Sequence, residues 1–179
     1  MIDITMSENA LSVEAKKTLA ERLSADLIEL EGAVDNSYAR SITWCFMDER
    51  REIYVAGIAP EKPVYRVVLT VPEGVPGLYG PLAVENRRTL VRRVTEAVLD
   101  AEGTEISIPE AARVWVQIRQ IADGHWGGFG ELVTIADIAA YGLGIGPENS
   151  IGLQIRDVMT PVLEAGPVHA PQAAVGAAA

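Results

Sequence analysis

The sequence predicts an α+β fold: a four-stranded mixed sheet with two helices on one face. The first observation behind this is an internal repeat. "KKTLAERLSADLIELEG" (Lys16 to Gly32) aligns without a gap on "RRTLVRRVTEAVLDAEG" (Arg87 to Gly103) at an offset of 71, with Thr18/Thr89, Leu19/Leu90, Arg22/Arg93, Glu31/Glu102 and Gly32/Gly103 identical. The second is periodicity: Leu19, Leu23, Leu27 and Leu30, like Leu90, Val94, Val98 and Ala101, recur at the three- and four-residue steps of an amphipathic helix. The third is that a short apolar run precedes and follows each helix. Strand, helix and strand repeated in order make an internal duplication.

In chain order, "IDITM" alternates Ile2, Ile4 and Met6 against Asp3 and Thr5 and reads as a strand. Ser12 is the expected N-cap of the first helix, and Gly32 and Gly103 supply the left-handed residue that ends each helix. "ITWCFM" gives the second strand, and "REIYVAG" adds a short strand or hairpin before the linker "IAPEKP". "VYRVVLTV" (Val64 to Val71) is apolar enough for a strand covered on both faces. The loop "PEGVPGLYGP" (Pro72 to Pro81) is about nine residues longer than its counterpart, and its prolines and glycines predict a structured loop rather than a helix. It serves either binding contacts or an interface. "RVWVQIRQI" closes the second unit, and the offset of 71 places Trp44 on Trp115. Right-handed crossovers make the strands within each unit parallel.

Thr134 with Asp137 signals a helix start, leading to a short helix through Tyr141. "SIGLQIRDVMTPVLEA" is expected to form another helix, broken near Pro161. The organisation is one domain, 1–146, built from units 1–57 and 63–143, followed by a C-terminal extension, 147–179, that is part helix and ends Ala/Pro-rich. That tail is expected to lie on a neighbouring subunit.

Composition narrows the function classes. The formal net charge of −10 argues against nucleic acid and anionic membranes as partners, and disfavours anionic substrates at long range. The single cysteine, Cys45, excludes an internal disulfide and reads as a buried small hydrophobe. No run approaches the roughly 20 apolar residues of a membrane span, and the N-terminus lacks a signal-peptide pattern, so a cytoplasmic location is expected. "GHWGGFG" lacks the spacing of a dinucleotide or phosphate loop. His125 and His169 bring no ligand set for zinc, so neither metal nor cofactor is expected.

The helix "SVEAKKTLAERLS" and the stretch "VWVQIRQIADGHWGGFGEL", in tandem β-α-β units, resemble the tautomerase superfamily, and within it 4-oxalocrotonate tautomerase. The likeness covers residues 1–57 and 63–143. It implies a fused, two-unit chain that assembles as a homotrimer. It also implies catalysis by an N-terminal proline amine whose pKa is lowered by an apolar pocket, with arginines holding substrate carboxylates and an aromatic wall.

The chain departs from that pattern at three places. It begins "MID", and Ile2 is bulky enough that Met1 is expected to stay. Pro63, before the second unit's first strand, is internal, so its nitrogen is an amide; it reads as a strand-entry residue. The family's arginine positions fall on Leu11 and near Leu82, and on Trp44 and Trp115, which read as core or interface side chains. Trp126 matches the pocket aromatic. Arg40, Arg66 and Arg119 are candidates to substitute for those arginines or else solvated or interface charges, and Arg87, Arg88, Arg92 and Arg93 crowd the wet face of the second helix.

The expected function is binding of a small carbonyl or enol compound at a subunit cleft, without proline-dependent tautomerase activity. The alternative is an active isomerase, decarboxylase or hydratase-type enzyme using the Met1 α-amine or another base. The residues assigned are Met1, Arg119 and His125 for catalysis, and Asp3, Trp115 and Trp126 for the pocket.

Overall fold

The computed structural model describes residues 1–166. The elements run β1 (Ile2–Ser7), α1 (Val13–Glu31), α2 (Ser37–Ile42), β2 (Cys45–Arg50), β3 (Tyr65–Pro72), α3 (Pro76–Tyr79), α4 (Ala83–Glu102), α5 (Ile108–Ala111), β4 (Val114–Ile121), β5 (Trp126–Gly128), β6 (Glu131–Val133), α6 (Ile135–Leu143) and α7 (Ile151–Glu164). The sheet order is β2-β1-β3-β4. β1 is parallel to β2 and β3 to β4, while β1 and β3 are antiparallel. The mixed sheet built of two parallel pairs is thus as the sequence predicts.

A local dyad relates the halves. Ile4 faces Val67 at the centre of the β1–β3 pairing, so Ile2 corresponds to Tyr65. Helices α1 and α4 both end on left-handed glycines, Gly32 and Gly103. Their ion pairs are reciprocal: Arg22 binds Asp100 at 2.6 Å, and its counterpart Arg93 binds Glu29, the counterpart of Asp100, at 2.8 Å. One sheet face packs against these helices. Ile2, Ile4, Met6, Val67 and Leu69 meet Leu19, Leu23, Leu90 and Val98 in one core.

The strands do not keep the helix offset. Ile2 faces Cys45 and Tyr65 faces Val114, so the closing strands are 69 residues apart. Trp115 therefore corresponds to Phe46, and Trp44 to Arg113. The connection after α1 is the longer one, and it holds α2, capped by the Asn36 side chain. Trp44 and Trp115 are also not core residues: they are 59% and 70% exposed on the sheet face away from the helices.

Three further expectations are corrected. The 72–81 loop contains a helical turn, α3, which starts with proline at its first position, a place that needs no N–H donor. It turns inward, burying Val75 and Leu78. Helix α7 runs unbroken through Pro161, because only one turn follows it and the Thr160 hydroxyl donates to the Arg156 carbonyl there. Cys45 is only partly buried, at the edge strand. "REIYVAG" gives a tight turn closed by a single bridge between Val55 and Ile58.

Helix α6 begins with the expected box of Thr134 and Asp137. α6 and α7 are fastened to α2: Asn36 donates to the Gly142 carbonyl at 2.9 Å, and the Arg156 guanidinium lies 3.9 Å from the centre of the Tyr38 ring while donating to the Tyr141 carbonyl. The tail from residue 167, including His169, lies outside the described residues. Among the described residues no helix is long and apolar enough to cross a membrane.

Candidate functional site

Met1 continues β1 by one pair. Its nitrogen donates to the Thr70 carbonyl at 2.8 Å and its carbonyl accepts from the Thr70 N–H at 2.9 Å. Thr70 in turn faces Arg119 on β4. Met1, Thr70 and Arg119 thus form one row across the sheet, and Asp3, Val68 and Gln117 form another two rows on. Burial pulls the Met1 amine below the ordinary range, against the opposing charges of Glu31, Asp3 and Cys45.

The other predicted site residues are spread out. Arg119 is exposed, and its guanidinium donates to the Gln117 side chain at 3.0 Å. Trp115 lies four residues back along β4, opposite Arg66, at the far end of the sheet. There it lines an open groove of about 560 Å³ with Arg50, Arg66 and Arg113. His125 is exposed, with its ring 3.3 Å from the Asp123 carbonyl. Trp126 is half-buried on β5, and its indole N–H is buried without a partner among the described residues. Neither hydrogen-bonds to Met1 or Arg119. Arg40 is held by Asp35 at 2.6 Å, and Arg66 donates to Thr5 at 3.1 Å. Leu11 is buried and Leu82 exposed. Arg87 donates to the Leu78 carbonyl and Arg93 spans to α1, so only Arg88 and Arg92 of that cluster are fully exposed. Pro63 offers only its carbonyl, which accepts from Arg113. Burial raises the Cys45 thiol to about 11, which suits a packing residue rather than a nucleophile.

At the Met1 end lies a second cavity, of about 110 Å³. The end of α1 contributes Ile28 and Glu31, α2 contributes Ala39 and Ile42, the 72–81 loop contributes Pro72, Val75 and Pro76, and α6 contributes Ile135 and Ile138. Glu31 is the one charged residue in this lining. Burial raises its carboxyl to about 7, offset in part by the nearby Met1 amine. The two form no direct ion pair.

The sequence reading missed Glu31, although its identity with Glu102 was visible. The difference lies in their partners. Glu102 accepts from Arg113 at 2.9 Å and from the Tyr65 hydroxyl at 3.1 Å. Burial pushes Glu102 up, but these bonds outweigh it and hold the carboxyl below the ordinary range. At Glu31 the corresponding residues are Trp44 and Ile2, which offer no charge.

An acid that binds its proton more tightly when folded stabilises the fold below its unfolded pKa and loses that contribution as pH rises through its folded pKa. For Glu31 the window runs from 4.5 to about 7. Glu31→Gln is therefore expected to stabilise the protein by about 2 kcal/mol at pH 8 and by nothing measurable at pH 4. Urea denaturation of both proteins at the two pH values checks this; equal midpoint differences at both would contradict it.

No family model matches the sequence, and no curated protein matches it. Solved structures do. A member of the cis-3-chloroacrylic acid dehalogenase family superposes with a TM-score of 0.61 at 13% identity, covering 89% of this chain and 98% of that one. A wild-type fused 4-OT, solved as a symmetric trimer, gives 0.57 at 19% identity, covering 74% and 94%. A macrophage migration inhibitory factor-like protein from Entamoeba histolytica gives 0.54 at 16%, covering 73% and 96%. These likenesses are of fold, and they agree with the dyad, the sheet order and the helix layer described above. The chain has the tautomerase-superfamily fold in its fused form, two β-α-β units in one polypeptide.

Proposed function

We propose that the protein binds a small carbonyl or enol compound at the Met1 end of the sheet, without proline-dependent chemistry. The observation that carries this is the 110 Å³ cavity, whose lining is apolar apart from Thr43 and the Glu31 carboxyl. The cavity is small and lined by α1, α2, α6 and the 72–81 loop, so it suits a few heavy atoms. The binding cleft is completed between subunits of a homotrimer. Support for that assembly comes from the fused 4-OT neighbour, solved as a trimer, and from Trp44, Phe46 and Trp115, which stand exposed on the open sheet face. Asp3 and Arg119 stand at the same end of the sheet but on its open face, where a neighbouring subunit would meet them. The acidic net charge favours neither nucleic acid nor an anionic membrane as partner.

A second reading is favoured by one observation, the desolvated Met1 amine. An amine with a lowered pKa keeps more of its lone pair at neutral pH and acts as a base or forms an imine with a carbonyl. Ketonisation of phenylenolpyruvate separates the two, run with protein whose intact mass shows Met1 in place, before and after N-terminal acetylation. The binding reading predicts the spontaneous rate in both. Acceleration that acetylation abolishes selects the amine. Acceleration that survives acetylation would contradict the binding reading and assign catalysis to a base other than the Met1 amine.

A further inference from the structure

Glu31 has no hydrogen-bond partner among the described residues, whereas its dyad twin Glu102 is fully engaged by Arg113 and Tyr65. No lysine or arginine lines the cavity that Glu31 faces. Arg119, the cation on the Met1 row, projects from the opposite sheet face, since Ile118 beside it packs toward the core. A carboxylate ligand placed in this cavity would be dehydrated beside an acid, with the Met1 amine, outside the lining, as its nearest cation. A neutral ligand meets no such cost, and its oxygen needs a donor.

We propose that Glu31 is the ligand-anchoring group of this cavity, donating a hydrogen bond from its carboxyl to the oxygen of an uncharged carbonyl or enol compound. The inference rests on the binding function proposed above and specifies its ligand class. The duplication supplies the logic: one copy of the glutamate is held in a structural ion pair, and the other, with Trp44 and Ile2 standing where its twin has Arg113 and Tyr65, is left for binding. The raised Glu31 carboxyl is consistent with a donor at neutral pH. The titratable groups facing it are the Met1 amine on β1, with Asp3 and Cys45 beside that amine. The lining residues from α2, α3 and α6 are uncharged.

The test is calorimetric titration with pyruvamide and with pyruvate, which match in shape and differ in charge. Wild type is expected to bind pyruvamide about tenfold more tightly than pyruvate at pH 6, and to lose pyruvamide affinity as pH rises to 8.5 and the donor ionises. Glu31→Gln keeps an uncharged donor, so its affinity for pyruvamide should be retained and flat across that range. Glu31→Leu should lose about tenfold. The groups around Met1 are the same in all three proteins, so a slope that persists in Glu31→Gln would assign the effect to the amine and overturn the inference. So would pyruvate binding as tightly as pyruvamide, or full affinity in Glu31→Leu. If neither probe binds any of the proteins, the proposed function itself falls, and the inference with it.

Discussion

Replacing Arg113 by methionine is expected to destabilise the protein by about 3–5 kcal/mol. The Arg113 side chain is 12% exposed and holds two carboxylates, Glu102, itself 10% exposed, and Glu110 at 2.6 Å. Methionine fills much of the same volume but leaves those carboxylates together with no cation between them. The Tyr65 hydroxyl and the Pro63 carbonyl belong to the same cluster, so β3, α4 and α5 all loosen at once. The effect depends on pH in a definite direction. In wild type the lowered pKa values of Glu102 and Glu110 contribute stability above the unfolded carboxylate range, and this is lost as pH falls through the folded values. In the variant the crowded carboxylates gain by protonation. Urea denaturation should therefore show the largest gap between the two proteins near pH 7 and a smaller one near pH 4. A gap that widens toward acid would show that the cluster is not what the arginine holds together.

Gly77→Ala is expected to cost about 3 kcal/mol and to abolish ligand binding at the Met1 end. A Cβ at this position would stand 2.1 Å from the Leu30 carbonyl oxygen and 2.6 Å from the Glu31 carbonyl carbon. Both are backbone atoms of α1, so no side chain can swing away. The α3 turn has no room to retreat either, because Asn86 donates to the Gly77 carbonyl at 2.7 Å and Arg87 to the Leu78 carbonyl at 2.7 Å, pinning it to α4. The strain falls on the end of α1, where Glu31 is presented to the cavity. Gly74→Ala in the same loop is the control. Its φ of +82° favours glycine, but nothing lies within 4 Å, so its cost is backbone strain alone, about 1 kcal/mol. Denaturation midpoints and pyruvamide titration of both variants check the pair. Equal effects would mean that close packing of the loop on α1 is unimportant.

Most of the scaffold was legible because it rests on local chemistry. The leucine spacing of α1, the Ser12 cap, the left-handed glycines and the Thr134–Asp137 box each act within a few residues, and each appears in the structure. The strand register was less legible. A gapless repeat of the helices hides two extra residues in the connection after α1, and only the pairing of Ile2 with Cys45 reveals that Trp44 matches Arg113 rather than Trp115. Pro161 misled for a physical reason as well: a proline so close to a helix end removes little, and side-chain contacts to α2 hold that turn in place.

The site divides in the same way. Met1, Asp3 and Arg119 are placed together by simple strand pairing, whereas Trp115 lies at the far end of β4, a consequence of a strand long enough to cross the sheet. Glu31 was hidden because its significance is a matter of what does not stand opposite it. A charged residue in an amphipathic helix ordinarily reads as solvated. It takes the dyad to show that its twin is neutralised and that it is not.

The most direct test of this account locates a bound ligand. In a sample labelled at isoleucine methyl groups, titration with pyruvamide should shift Ile28, Ile42, Ile135 and Ile138, which line the Met1-end cavity. Ile53, in the groove beside Trp115, should stay fixed. Shifts confined to Ile53, or none at any concentration, would contradict the assignment of function to the Met1 end.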